Sequence, residues 1–117
     1  MVVVDDSIVR LTTAPLIVQR LYAAGAREVH MRIAAPPIVS PCHYGIDTPR
    51  KEELAASRMT PEEMCVRIGA VSLEFLPLSA LHGLAKNPDE FCYACMDGKY
   101  HPQTIATDGK NRLISLQ

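Results

Sequence analysis

At 117 residues, 48% of them apolar, the chain is long enough to bury the core of one small domain and too apolar to be disordered. Its 12 Lys and Arg stand against 13 Asp and Glu, scattered along the sequence, so the formal net charge of −1 leaves no electrostatic footprint for nucleic acid or an anionic membrane. No apolar run approaches the roughly 20 residues that span a bilayer, and MVVVDD lacks the basic start and long apolar stretch of a signal peptide. These features predict a cytoplasmic protein whose four cysteines are reduced and available to a metal or cluster.

Val2, Val3 and Val4 form an uninterrupted β-branched run, which predicts a parallel strand buried on both faces that delivers Asp5 and Asp6 to its carboxyl end. A loop rich in hydroxyls follows, and the spacing of Ile17, Leu21 and Ala24 predicts a helix over 14–24 with Thr13 as N-cap and Gly25 just beyond its end. Residues 28–35 alternate Val29, Met31 and Ile33 against His30 and Arg32, a second strand that completes a right-handed βαβ unit; His30 and Arg32 belong to its polar face and are set aside as site residues. Pro36, Pro37, Pro41, Gly45 and Pro49 then impose a long irregular loop. Two short helices are expected over 51–57 and 61–68, the second opened by Thr60, Pro61 and Glu63 and closed by Gly69. A third strand over 71–76 and a helical turn over 78–84 complete a first portion at 1–85, and a polar tail containing FCYACMDGKYHP makes up 86–117. Three strands fall short of a usual sheet of about five, so the fold is expected to be truncated at its amino end.

The loop after the first strand carries the chemistry. In open α/β sheets ligands bind beyond the carboxyl ends of the strands, where loop amides leading into a helix favour anions. Ser7, Thr12 and Thr13 add hydroxyl donors and Arg10 a cation, a set suited to phosphate, while Asp5 and Asp6 suit sugar hydroxyls or Mg²⁺. The same residue types also make an ordinary polar turn. The full string narrows the choice: VVVDDSIVRLTT closely resembles the phosphoribosyl-pyrophosphate loop of type I phosphoribosyltransferases, and DDSIVR followed by TT is the form found in the amidophosphoribosyltransferase family. GIDTP at 45–49 and FCYACMDGKY at 91–100 resemble the carboxyl-terminal part of that family in the same order.

The resemblance implies an α/β chain with a partial type I phosphoribosyltransferase fold, a parallel sheet with flanking helices and an irregular Cys-containing tail. It implies that Asp5 and Asp6 lie along the ribose hydroxyls and Mg²⁺, and that Ser7, Ile8, Val9, Arg10, Leu11, Thr12 and Thr13 wrap the 5-phosphate. For the intact enzyme it implies transfer of ammonia from glutamine to phosphoribosyl pyrophosphate, giving 5-phosphoribosylamine, in a homo-oligomer whose glutaminase and upstream phosphoribosyltransferase portions precede the segment seen here. The isolated chain is then expected to be inactive. Leu11 departs from the family, which carries Gly at that place; Gly permits close approach or a positive φ that Leu adopts only at a cost, so Leu11→Gly is expected to tighten phosphate binding.

Cys92 and Cys95 form C-x-x-C and Cys42 lies in the proline-bounded loop. Zinc would need a fourth ligand from Cys65, His43 or His101, an iron–sulfur cluster would need four thiolates, and unrelated buried thiols would have the same spacing. In the iron–sulfur subgroup of the family, the matching positions are Cys42, Cys92 and Cys95, which the resemblance makes three ligands of a [4Fe-4S] cluster whose remaining ligand lies upstream of the acidic loop. Cys65, between Met64 and Val66, is read as a core residue. Two other readings use the same residues: a regulatory module that binds phosphorylated ribose without transferring it, and a structural zinc domain.

Overall fold

The computed structural model describes residues 1–101. Strand β1 (Val2–Asp5) leads through a loop into helix α1 (Ala14–Ala23) and strand β2 (His30–Ile33). The chain then crosses the irregular proline loop, two single 3₁₀ turns at Lys51–Glu53 and Ala55–Ser57, helix α2 (Pro61–Ile68) and strand β3 (Ser72–Phe75). Helix α3 (Leu78–Gly83), a 3₁₀ turn at Pro88–Glu90 and the one-turn helix α4 (Ala94–Asp97) follow. The three strands are parallel in the order β1-β2-β3, with Val3, Met31 and Leu73 in one row and Asp5, Ile33 and Phe75 in another. The expected α/β class and parallel sheet are thus observed.

Both rows lie on the face that meets the helices. Met31 is fully buried among Val18 of α1, Met64 and Ile68 of α2, and Val29, Ile33 and Leu73 of the sheet. Right-handed crossovers between successive neighbouring strands place their helices on the same side, so α1 and α2 cover one face together. The other face carries Val2, Val4, His30, Arg32, Ser72 and Glu74, and the prediction that β1 is buried on both faces is overturned: Val2 and Val4 are 63% and 72% exposed. On that face Arg32 donates to Ser72 Oγ at 2.9 Å and pairs with Glu74 at 3.6 Å, while His30 Nδ1 meets the same Ser72 hydroxyl at 2.9 Å. Setting these two residues aside accords with a polar surface of the sheet.

The predicted helix over 51–57 is replaced by the two 3₁₀ turns because Leu54 between them is extended, with ψ 124. That extension buries Leu54 completely and turns the Ala55 N–H onto Val9 O at 2.8 Å, a bond a continuous helix would have spent internally. Helix α2 is capped as its sequence predicts: Thr60 Oγ1 accepts from the Glu63 amide, Glu63 Oε2 accepts from the Thr60 amide, and Gly69 ends it at φ 79. Thr13 occupies the predicted cap position of α1 but its side chain makes no capping bond. Cys65 packs against the core and donates its thiol to Ala70 O at 3.3 Å. The tail expected to lack regular elements contains α4, a single turn too short for any hydrophobic period to register; residues 102–117 of the predicted tail lie outside the described residues. Among the described residues no helix is long and apolar enough to cross a membrane.

Candidate functional site

Asp5 is the last residue of β1, and its carbonyl accepts from the Ala34 amide at 2.9 Å, which ties the strand end to β2. Its Oδ1 accepts from the Asp6 amide at 3.0 Å, and Asp6 Oδ1 in turn accepts from Ser7 Oγ at 2.8 Å. Beyond them the loop alternates between an apolar underside and a polar rim. Ile8, Leu11 and Ala14 are buried in the core, whereas Arg10, Thr12 and Thr13 are exposed and Ser7 and Val9 half-buried. A spacing of three residues between buried positions is what turns one edge of a tight loop inward while leaving its hydroxyls outward.

The loop encloses a cleft of about 200 Å³ lined by Asp5, Ser7, Ile8, Val9, Arg10, Leu11, Thr12, Thr13 and Ala14. The structure therefore brings together all but one of the predicted loop residues. Asp6 does not line the cleft; it is exposed on the outside of the turn. Two groups from the 3₁₀ segment back the loop: the Ala55 amide on Val9 O, and Glu53, which pairs with Arg10 at 3.6 Å with both side chains about half exposed. Neither was legible beforehand, since nothing local in KEELAAS marks it as a buttress for a segment forty residues away.

A second assembly joins the proline loop to the tail. The Val39 and Ser40 amides both donate to Cys95 O, at 2.9 and 3.0 Å. The Tyr100 hydroxyl donates to Pro41 O, its ring lies 4.6 Å from that of His43 and 6.2 Å from that of Tyr44, and the His101 amide donates to Tyr44 Oη at 2.8 Å. Gly98, at φ 73, passes so near Ser40 that a Cβ would touch its hydroxyl at 3.6 Å. Cys42, whose sulfur accepts from the Tyr44 amide at 3.3 Å, and Cys95 are half-buried and Cys92 is exposed. Burial first, then the neighbouring Cys42, pushes the Cys95 thiol up, with Cys92 and Asp97 adding to the effect. The three thiols thus share one electrostatic neighbourhood, although among the described residues no three His, Cys, Asp or Glu side chains converge around a single metal-ion position. A cavity of about 640 Å³ opens beside them, bounded by His82, Phe91, Cys92, Tyr93 and Tyr100 among others, and buried His82 Nε2 and His43 Nδ1 have no hydrogen-bond partner among the described residues.

No family model matches the chain. It is 57% identical over 103 residues to the chloroplastic amidophosphoribosyltransferase of Vigna aconitifolia, which covers 87% of this chain and 21% of the relative. It is 50% identical over 112 residues to the amidophosphoribosyltransferase of Bacillus subtilis, covering 92% of this chain and 23% of that one. Among solved structures it resembles the glutamine phosphoribosylpyrophosphate amidotransferase of B. subtilis complexed with ADP and GMP, with a TM-score of 0.79 and 48% identity over 92% of this chain and 24% of that chain. A structure of the allosteric regulatory enzyme of purine biosynthesis matches with a TM-score of 0.80 at 47% identity. Identity at this level over most of the chain, on the same backbone, shows that it is homologous to one segment of these amidophosphoribosyltransferases and spans about a fifth of their length.

Proposed function

We propose that the chain carries the phosphoribosyl-binding loop of an amidophosphoribosyltransferase, the enzyme that converts phosphoribosyl pyrophosphate, glutamine and water to 5-phosphoribosylamine, glutamate and pyrophosphate in the first step of purine synthesis. The observation that supports this most is the cleft beyond β1, where one carboxylate and a rim of hydroxyls surround a space of about 200 Å³. In this reading Ser7, Thr12, Thr13 and the loop amides hold the 5-phosphate, and Arg10 supplies a cation by leaving its solvent-exposed pairing with Glu53. Asp5 faces the ribose hydroxyls, while Asp6 follows it outside the cleft. The two carboxylates are the hard oxygen ligands that Mg²⁺ takes, and the bound ion would offset the charge of the departing pyrophosphate.

Cys42, Cys92 and Cys95 are assigned to an iron–sulfur cluster of the [4Fe-4S] type. The donor set fits: three soft thiols from two chain segments that the tail clasp holds together, with a mutual repulsion at Cys95 that a cationic iron centre relieves. Residues 86–117 then form a cluster-bearing tail on a phosphoribosyltransferase portion at 1–85. Thiol ligation asks for a reducing compartment, the cytoplasm, or a plastid in organisms whose relatives are chloroplastic.

Calorimetric titration with phosphoribosyl pyrophosphate and Mg²⁺ tests the loop assignment. Asp5→Asn combined with Asp6→Asn is expected to weaken binding at least about tenfold, since a hydrogen bond to a charged group is worth roughly 1.5–3 kcal/mol. Unchanged Mg²⁺-dependent affinity in the double variant would overturn it.

A further inference from the structure

Leu11 is the one residue other than glycine with a positive φ among the described residues, at φ 61, and it is also buried, at 8% exposure. Those two facts pull in opposite directions. A branched side chain in the left-handed region is disfavoured by contact of its Cβ with the following carbonyl, so the backbone alone would leave this conformation. The side chain, however, is packed into the core between Ile8 and Ala14 of the same loop and the cluster formed by α1, α2 and the sheet. Leaving the left-handed region would swing it out of that cluster into water.

We propose that Leu11 is a positioning residue: its buried side chain clamps the loop in the left-handed turn that shapes the cleft, a conformation a glycine would merely permit. The inference rests on the phosphoribosyl reading of the cleft only for its binding consequence. It reverses the expectation drawn from sequence, in which glycine would improve the site. Glycine at φ 61 is unstrained but has nothing to bury, so the loop would visit many backbones of which the ligand-ready one is a fraction, and apparent affinity falls by that fraction. The clamp has two neighbours that act with it, Ile8 buried three residues earlier and the Ala55 amide on Val9 O, but only Leu11 sits at the strained residue itself.

The test uses the full 117-residue chain and two readouts. Amide hydrogen exchange over residues 7–13 reports the loop without any ligand, and titration with ribose 5-phosphate reports its binding. Leu11→Gly is expected to speed exchange in the loop about tenfold while leaving Met31 and Leu73 in the sheet as protected as before, and to weaken ribose 5-phosphate binding by a similar factor. Leu11→Asn, which tolerates the left-handed region without supplying an apolar anchor, is expected to behave like Leu11→Gly and serves if that variant fails to fold. Leu11→Met, which keeps an apolar anchor of similar volume, is expected to keep loop exchange slow. Loop exchange in Leu11→Gly or Leu11→Asn as slow as in the parent, or tighter ribose 5-phosphate binding by either, would overturn the proposal. If the parent chain does not bind ribose 5-phosphate, the phosphoribosyl reading of the cleft falls and the exchange data alone decide the role of Leu11.

Discussion

Cys92 and Cys95 share one motif and differ in exposure. Cys92 is exposed, whereas Cys95 is half-buried, its carbonyl is gripped by two amides of the proline loop, and burial with Cys42 nearby raises its thiol above the ordinary range. The thiolate is the nucleophile, so in the metal-free chain at mildly alkaline pH an alkylating reagent is expected to modify Cys92 before Cys95 by about an order of magnitude, read by mass spectrometry of the peptides. Equal rates would show that Cys95 is no more shielded than its partner. The sign of the linked pH effect follows: because the folded chain keeps Cys95 protonated to higher pH than the unfolded chain does, its contribution to stability is whole below the ordinary thiol range and is lost as pH rises through the raised value. The identities of these thiols were legible as C-x-x-C with a loop cysteine. Their inequality was not, because it arises from burial of Cys95 and from Cys42 beside it, which only tertiary structure brings to the motif.

At the scale of elements, the best-read piece is α2. Thr60, Pro61, Glu63 and Gly69 are a complete set of local start and stop signals, and each acts within a few residues of itself, so no distant contact can override it. Thr60→Ala removes the acceptor for the Glu63 amide and is expected to cost about 1 kcal/mol, seen as a lower urea midpoint with unchanged slope. A midpoint shift near zero would mean that water replaces the cap without penalty. The segment at 51–57 shows the converse. Its composition suits a helix, but burial of Leu54 and the bond from the Ala55 amide to Val9 O outweigh a preference worth tenths of a kcal/mol per residue. The acidic loop falls between these cases: its string points to the chemistry proposed for it, whereas its apolar underside at Ile8, Leu11 and Ala14 emerges only from the packing, and the left-handed turn at Leu11 contradicts local preference and is held by the core.

Among the described residues, two candidate sites share one small scaffold, and one face of its sheet, with Val2 and Val4, is exposed. Sequential right-handed crossovers cannot cover that face with α1 and α2, a consequence of topology that the run of three valines does not reveal. In the proposed reading the cleft takes the phosphate and ribose of the substrate, and release of ammonia from glutamine and grip on the pyrophosphate are proposed to lie in the four-fifths of the relatives' length that this chain does not match. The 117-residue chain is therefore expected to make no 5-phosphoribosylamine from glutamine, and, after anaerobic reconstitution, to bind iron and sulfide through Cys42, Cys92 and Cys95 but lose them in air, because one iron of a four-iron cluster then lacks a protein thiolate. Cys65 offers no ready substitute: its thiol donates to Ala70 O and its side chain packs on the core, so recruiting it would cost roughly 1–3 kcal/mol of burial. Cys42→Ser is expected to reduce the reconstituted iron further, while Cys65→Ser leaves it unchanged. Iron and sulfide analysis, the visible absorption that separates an iron–sulfur cluster from colourless zinc, and a glutamine-dependent assay check each part. An air-stable cluster containing four irons, or sustained turnover by the purified chain, would show that the segment is sufficient by itself and that the division of labour argued from its cleft and its thiols is wrong.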